Sequence, residues 1–305
     1  LRLGVLADFL SKPVLGGFVI GLAISIAMGQ LGKILGFDVA ESNFIPDILL
    51  IIRDIGMTHM PTLVVGIVSL AVLFLMQHFT PKIPAAITVV IASIVLSALL
   101  DFEAMGIHIV GEIPAGLPPI GLPEGITIES IVALLPGAAA IALVGFAESV
   151  AAARSYASKY GYEIDANQEM IAQGVANLGS GISQGFPVDG SLSKTAAADA
   201  AGAKSQMVSL LLAVFTIITV LFLTPLFRTL PEATLGAIVI HAVSHLIDFK
   251  KLQRYYHIKP VDFWAAMAAM AGVLMLGILE GLLLAVFLSI VALLAATKNP
   301  ATAIL

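Results

Sequence analysis

The stretch GFPVDGSLSKTAAADAAG, residues 185–202, decides how the rest of the chain is read. It carries two aspartates, two serines, a lysine and three glycines inside a chain that is otherwise close to oil. Pro187 and Gly190 prevent one helix from running through it, Asp189 suits an N-cap, and a new helix can begin from Ser191 onward. A helix that starts at membrane depth exposes its first N–H groups there, with the positive end of its macrodipole. Ser191 and Ser193 add donors and Lys194 a full charge, so this break is expected to be an anion site. Non-helical backbone is tolerated at that depth only where it is buried in protein or lines a watery cavity.

Composition supports a membrane setting. The 305 residues are 59% hydrophobic and 11% charged, with mean hydropathy +1.04, where soluble domains carry roughly 25% charged residues. The net charge of −5 is scattered and there is no basic patch, which excludes nucleic acid as a partner. With no cysteine there is neither a disulfide framework nor thiolate chemistry. The chain opens Leu-Arg-Leu, without an initiator Met, and reads as an internal piece of a longer protein.

Spans of the length a bilayer needs fall at 13–32, 62–78, 84–100, 129–153, 205–227, 231–248, 261–278 and 280–297. Between the fourth and fifth lies 166–202, too polar for lipid because of Asn167, Gln168, Glu169, Asn177, Gln184 and Asp189, and too apolar for a loop. Read as two short helices, 166–183 and 190–202, meeting inside the membrane, it fixes the parity of every loop. Arg2, Lys12, Lys82, Arg154, Lys159, Lys204, Lys250, Lys251, Arg254, Lys259 and Lys298 then face the cytoplasm. Lys33, Arg53 and Arg228 face out, which obeys the positive-inside rule. An odd number of crossings would split the basic loops between the two sides.

Glu148 is the second candidate, the only acid between Glu129 and Glu163 and deep in an apolar span. Burial disfavours its charged form and a nearby cation favours it, which suits a proton carrier. The alternative is a static ion pair with Lys194 or Arg154, and Lys194 could instead snorkel to an interface. Gly17-x-x-x-Gly21 and Gly277-x-x-x-Gly281 have the spacing that lets helices approach closely. His241 and His245 are one turn apart, but no carboxylate or third His adjoins them, so no metal site and no cofactor is expected. Asp248 to Lys259 reads as a solvated cytoplasmic loop. No nucleophile elbow, phosphate loop or HExxH is present, so the chain is not read as an enzyme.

The residues FAESVAAARSYASKYGYEIDANQEMIAQGVANLGSGISQGFPVDGSLSKTA resemble the central stretch of the sulfate permease (SulP) family, also called solute carrier 26. LADFLSKPVLGGFVIGLAI and LPEATLGAIVIHAVSHLID are similar to other segments of that family. The resemblance implies an all-α polytopic membrane protein, part of a seven-plus-seven inverted-repeat transporter fold with broken half-helices at the midplane. It implies that residues 1–128 end the first repeat, mostly as gate-type helices, and that 129–305 form the second, with core helices at 129–202. The first spans and a C-terminal STAS domain would lie beyond the chain.

By the same resemblance Gly190, Ser191, Leu192, Ser193 and Lys194 bind the anion, and Glu148 is the acid linked to cation coupling. Ala152 stands where sodium-coupled relatives carry a hydroxyl, which favours protons. The function so implied is secondary active anion transport, proton-coupled sulfate uptake above all, by a multi-pass homodimer in an inner or plasma membrane. Bicarbonate, a C4-dicarboxylate or a halide are the alternative substrates. A non-transporting structural membrane subunit is the alternative of another class.

Overall fold

The computed structural model describes residues 12–37, 39, 44–81, 83–121, 125–191, 194–195, 198–199, 202–277, 280–281, 283–285 and 287–289. These divide into two compact units. One is built from Lys12–Ala115 with Thr219–Leu288, the other from Gly116–Ile218.

The first unit holds α1 (Lys12–Gly29), α2 (Leu31–Leu35), α3 (Phe44–Asp54), α4 (Met60–Phe79) and α5 (Ala85–Leu100). The second holds α6 (Ile128–Tyr160), α7 (Ala166–Ile182) and α8 (Met207–Ile218). The chain then returns to the first unit with α9 (Glu232–Ser244), α10 (Phe249–Ile258) and α11 (Pro260–Leu276). Among the described residues the single β feature is an isolated bridge between Ile109 and Pro231. There Val110 N–H donates to the Leu230 carbonyl at 2.9 Å and ties the loop after α5 to the start of α9.

Five helical segments are long and apolar enough to cross a bilayer: Pro13–Leu35, Met60–Phe79, Ile128–Ala157, Met207–Phe227 and Glu232–Ile258. Ala85–Leu100 and Pro260–Leu276 are shorter apolar helices. The predicted span 280–297 lies mostly outside the described residues. Large apolar side chains on α4, α5 and α8 are exposed, and α8 has no buried residue, which is the surface that a lipid-facing helix presents. At Thr219–Leu223 the span that begins with α8 widens into a π-helical turn, at the residue where the chain leaves the second unit.

Helix contacts in the first unit are made by missing side chains. A Cβ at Gly17 would overlap the Ala266 backbone and one at Gly21 would crowd Met270, so the Gly17/Gly21 face lets α1 lie directly on α11. The second small-residue pair works differently. Gly277 ends α11 with φ +109, while Gly281 packs on Val273, so the two do not form one helix face. The stretch Asp248 to Lys259 also departs from its predicted loop. Asp248 caps α10 by accepting from the Lys250 and Lys251 amides, and Leu252 is buried with Tyr255 against it.

Candidate functional site

α6 is continuous through Pro136 and ends at Gly161, whose φ of +72 suits a left-handed cap. It therefore carries Glu148 and Ser149 on one uninterrupted rod. α7 starts on Asp165, which accepts from the Asn167 amide, and it stops after Ile182. The chain turns there through Gln184, a non-glycine residue at φ +54, and Gly185 N–H donates to the Ser180 carbonyl at 2.8 Å. The break predicted between the two short helices is thus present, from Ser183 to Ser191.

A polar net holds the break open. Asn177 receives the Val188 amide at 3.0 Å and returns its own N–H to the Val188 carbonyl at 2.8 Å. Gln173 Nε2 also donates to that carbonyl, at 2.6 Å. The Ser149 hydroxyl donates to Asp189 Oδ1 at 2.6 Å and accepts the Gly190 amide at 3.0 Å. Extended backbone at membrane depth must find such partners, and here side chains of α6 and α7 supply them. Two glycines allow the approach. A Cβ at Gly190 would stand 2.6 Å from Ser149 Oγ, and one at Gly145 would stand 3.1 Å from the Asp189 carboxyl carbon.

The N-cap of the second short helix stands two residues later than Asp189 suggested. Ser191 Oγ accepts the Lys194 amide at 3.4 Å, and the Ser191 carbonyl accepts the Thr195 amide at 2.9 Å. Ser191 is therefore the N-cap, and Asp189 spends its carboxylate on Ser149, Gln173 and Gly190. Residues 194–195 and 198–199 are helical. Leu192 and Ser193 lie outside the described residues.

The predicted site residues meet different fates. The Gly190 amide is taken by Ser149 and the Asp189 side chain, the Ser191 hydroxyl acts as cap, and the Lys194 amide is taken by that cap. The Lys194 side chain is exposed and makes no ion pair among the described residues. Glu148 is half-buried, and among the described residues it too is in no ion pair, so the static Glu148–Lys194 pair is not formed. Besides its burial, Glu148 has the Asp189 carboxylate near enough for its charge to act on it.

Beside the break lies a cavity of about 730 Å³, lined among others by Ser149, Glu169, Gln173, Asp189, Gly190 and Thr195. Among the described residues, Gly190 is the one predicted site residue in that lining. Ser149, Gln173 and Asn177 join the site only in the structure. Their signal was the spacing of Gln173 and Asn177, one turn apart on an Ala- and Gly-rich helix. No group of three or more His, Asp or Glu able to hold a metal occurs among the described residues.

A chain helical through most of its described residues, with several bilayer-length helices and a helix pair interrupted at Ser183–Ser191, defines a multi-pass membrane protein of the inverted-repeat transporter fold. It superposes on part of murine solute carrier 26 family member A9, an anion transporter, in its inward-facing state. The TM-score is 0.85, at 26% identity, over 94% of this chain and 48% of that one. The transmembrane domain of a cyanobacterial bicarbonate transporter, BicA, matches with TM-score 0.77 at 20% identity, over 96% of this chain and 71% of that one, and shows the fold alone.

Residues 1–269 match the sulfate permease family, and the chain belongs to that family. A probable sulfate transporter of Mycobacterium tuberculosis (strain ATCC 25618 / H37Rv) is 38% identical over 100% of this chain and 54% of its own length. A chloroplastic sulfate transporter of Arabidopsis thaliana is 32% identical over 100% of this chain and 45% of its own length. The chain thus spans about half the length of these relatives.

Proposed function

We propose that the full protein is a secondary active transporter that takes up sulfate together with protons, and that the start of the Ser191 helix holds the anion. The observation that carries this reading is the position of the cap. With the Ser191 hydroxyl engaging the Lys194 amide, a helix start and the positive end of its dipole stand at Ser191 for an anion. The Lys194 ammonium adds the charge. The sulfate transporters among the relatives favour sulfate as the cargo.

Proton coupling follows from the acids. Asp189 and Glu148 both stand near the break, so a dianion entering while both are ionised meets two negative charges beside one lysine. Protonating Glu148 removes one of them. Asp189 is committed to three donors, whereas Glu148 has no hydrogen bond among the described residues and can take the proton. Anion and proton then strengthen each other's binding by the same factor, and symport results.

In this reading residues 129–305 are the second of two inverted repeats, the site moves between faces with helices 129–202, and the protein works as a homodimer in an inner or plasma membrane. The test is labelled-sulfate uptake by the full-length protein in proteoliposomes with an inward proton gradient. Glu148→Gln should still bind sulfate but lose accumulation above the external concentration. Accumulation by the Gln variant equal to wild type would remove the coupling role.

A further inference from the structure

We propose that His241 and His245, oriented by Gln77, form a site for one borderline divalent transition-metal ion such as Zn²⁺ or Cu²⁺. The site belongs to the first unit and is separate from the anion site. The two imidazoles sit one turn apart at the C-terminal end of α9, with ring centroids 5.1 Å apart and planes at 88°. Two imidazoles that share one ion at metal–nitrogen distances of about 2.0–2.1 Å have centroids about 5 Å apart, so the edge-to-face spacing of these rings matches what one shared ion requires.

Gln77 of α4 sets the tautomer. Its Oε1 lies 2.9 Å from His241 Nε2 and can only accept, so Nε2 carries the proton and Nδ1 keeps the lone pair. Metal-bound histidines commonly give their second N–H to a carbonyl or carboxylate in this way. The edge of Phe74, 4.9 Å from the His241 ring, fixes that ring further. His245 is exposed and His241 half-buried, so an ion can reach both.

The setting favours a cation as well. His245 is the C-cap of α9, where the negative end of the helix dipole and its last carbonyls lie. The count of basic loops puts this end on the cytoplasmic side. Among the described residues no third His or acid joins the pair, so water completes the coordination. Imidazole ligation selects copper, zinc or nickel over magnesium and calcium.

The test uses full-length protein in detergent, titrated calorimetrically with Zn²⁺ and examined by electron paramagnetic resonance with Cu²⁺. Wild type should bind one equivalent and show a copper signal coupled to two imidazole nitrogens. His241→Gln and His245→Gln should each weaken binding at least tenfold and abolish the two-nitrogen signal, and Gln77→Ala should weaken it by about tenfold. Zn²⁺ should also protect both histidines of unmodified protein from diethyl pyrocarbonate, a readout that needs no variant to fold. Binding unchanged in His245→Gln, a wild-type copper signal without two nitrogens, or no protection would overturn the site.

Discussion

At the scale of single residues the break depends on what is absent. Gly190 lies so close to Ser149 that a methyl group there must displace the hydroxyl that accepts the Gly190 amide. Gly190→Ala should therefore cost about 1–3 kcal/mol by overpacking, seen as a lowered unfolding temperature, and should erase any sulfate-dependent thermal shift. Ser191→Ala removes the cap and should cost about 1 kcal/mol, while Ser191→Thr keeps most of it. The sequence made Pro187 and Gly190 legible as a helix stop. It did not separate Asp189 from Ser191 as the cap, because both side chains can accept an N-terminal amide. What decides between them is Ser149, 40 residues away, and Gln173, 16 residues away, which claim the Asp189 carboxylate. Such partners have no local sequence signal.

At the scale of elements, α6 and the second short helix are joined at their far ends. Lys159 Nζ lies 2.5 Å from Asp199 Oδ2, and the Tyr160 hydroxyl donates to Asp199 Oδ1. The hydrogen bond from Lys159 to Asp199 raises the Lys159 ammonium above the ordinary lysine value. A raised cation stabilises the fold fully below its unfolded value, and the gain is lost as pH rises through its elevated folded value. Screening keeps this exposed pair weak, so reactivity is a better readout than stability. Lys159 should acylate slowly near pH 8–9, and Asp199→Asn should speed it, as measured by mass spectrometry.

Helix contacts give a second test at this scale. Gly17→Ala should destabilise by about 1–3 kcal/mol because its methyl meets the Ala266 backbone. Gly16→Ala, with Tyr255 at an ordinary 3.8 Å, should cost less, and thermal unfolding compares the two. The Gly17/Gly21 spacing was readable as a contact face. α10 was not, since polar and charged side chains fill most of its ten positions and only Leu252 and Tyr255 mark the side it packs. α3, whose eleven residues cannot span a bilayer, left no span-length signal either.

At the scale of the whole molecule, the orientation expected from reading 166–202 as a paired crossing is testable, since this chain has no cysteine. Single cysteines at Glu103 and Gln253 should react with an impermeant maleimide from opposite sides, Glu103→Cys from outside. The membrane class was legible in composition, and the helix break at 183–191 in one polar interruption. The cavity and its Ser149, Gln173 and Asn177 walls were not, because they exist only once α6, α7 and the break come together.

The account rests on a helix start that faces bound negative charge. Selenate, a sulfate mimic that scatters anomalously, soaked into crystals of the full-length protein tests it most directly. The account predicts an anomalous peak within about 3 Å of the amides at Leu192 and Ser193 and near the Lys194 ammonium. Saturable selenate binding in solution, with the crystal peak elsewhere and no change in affinity on Lys194→Ala, would contradict it.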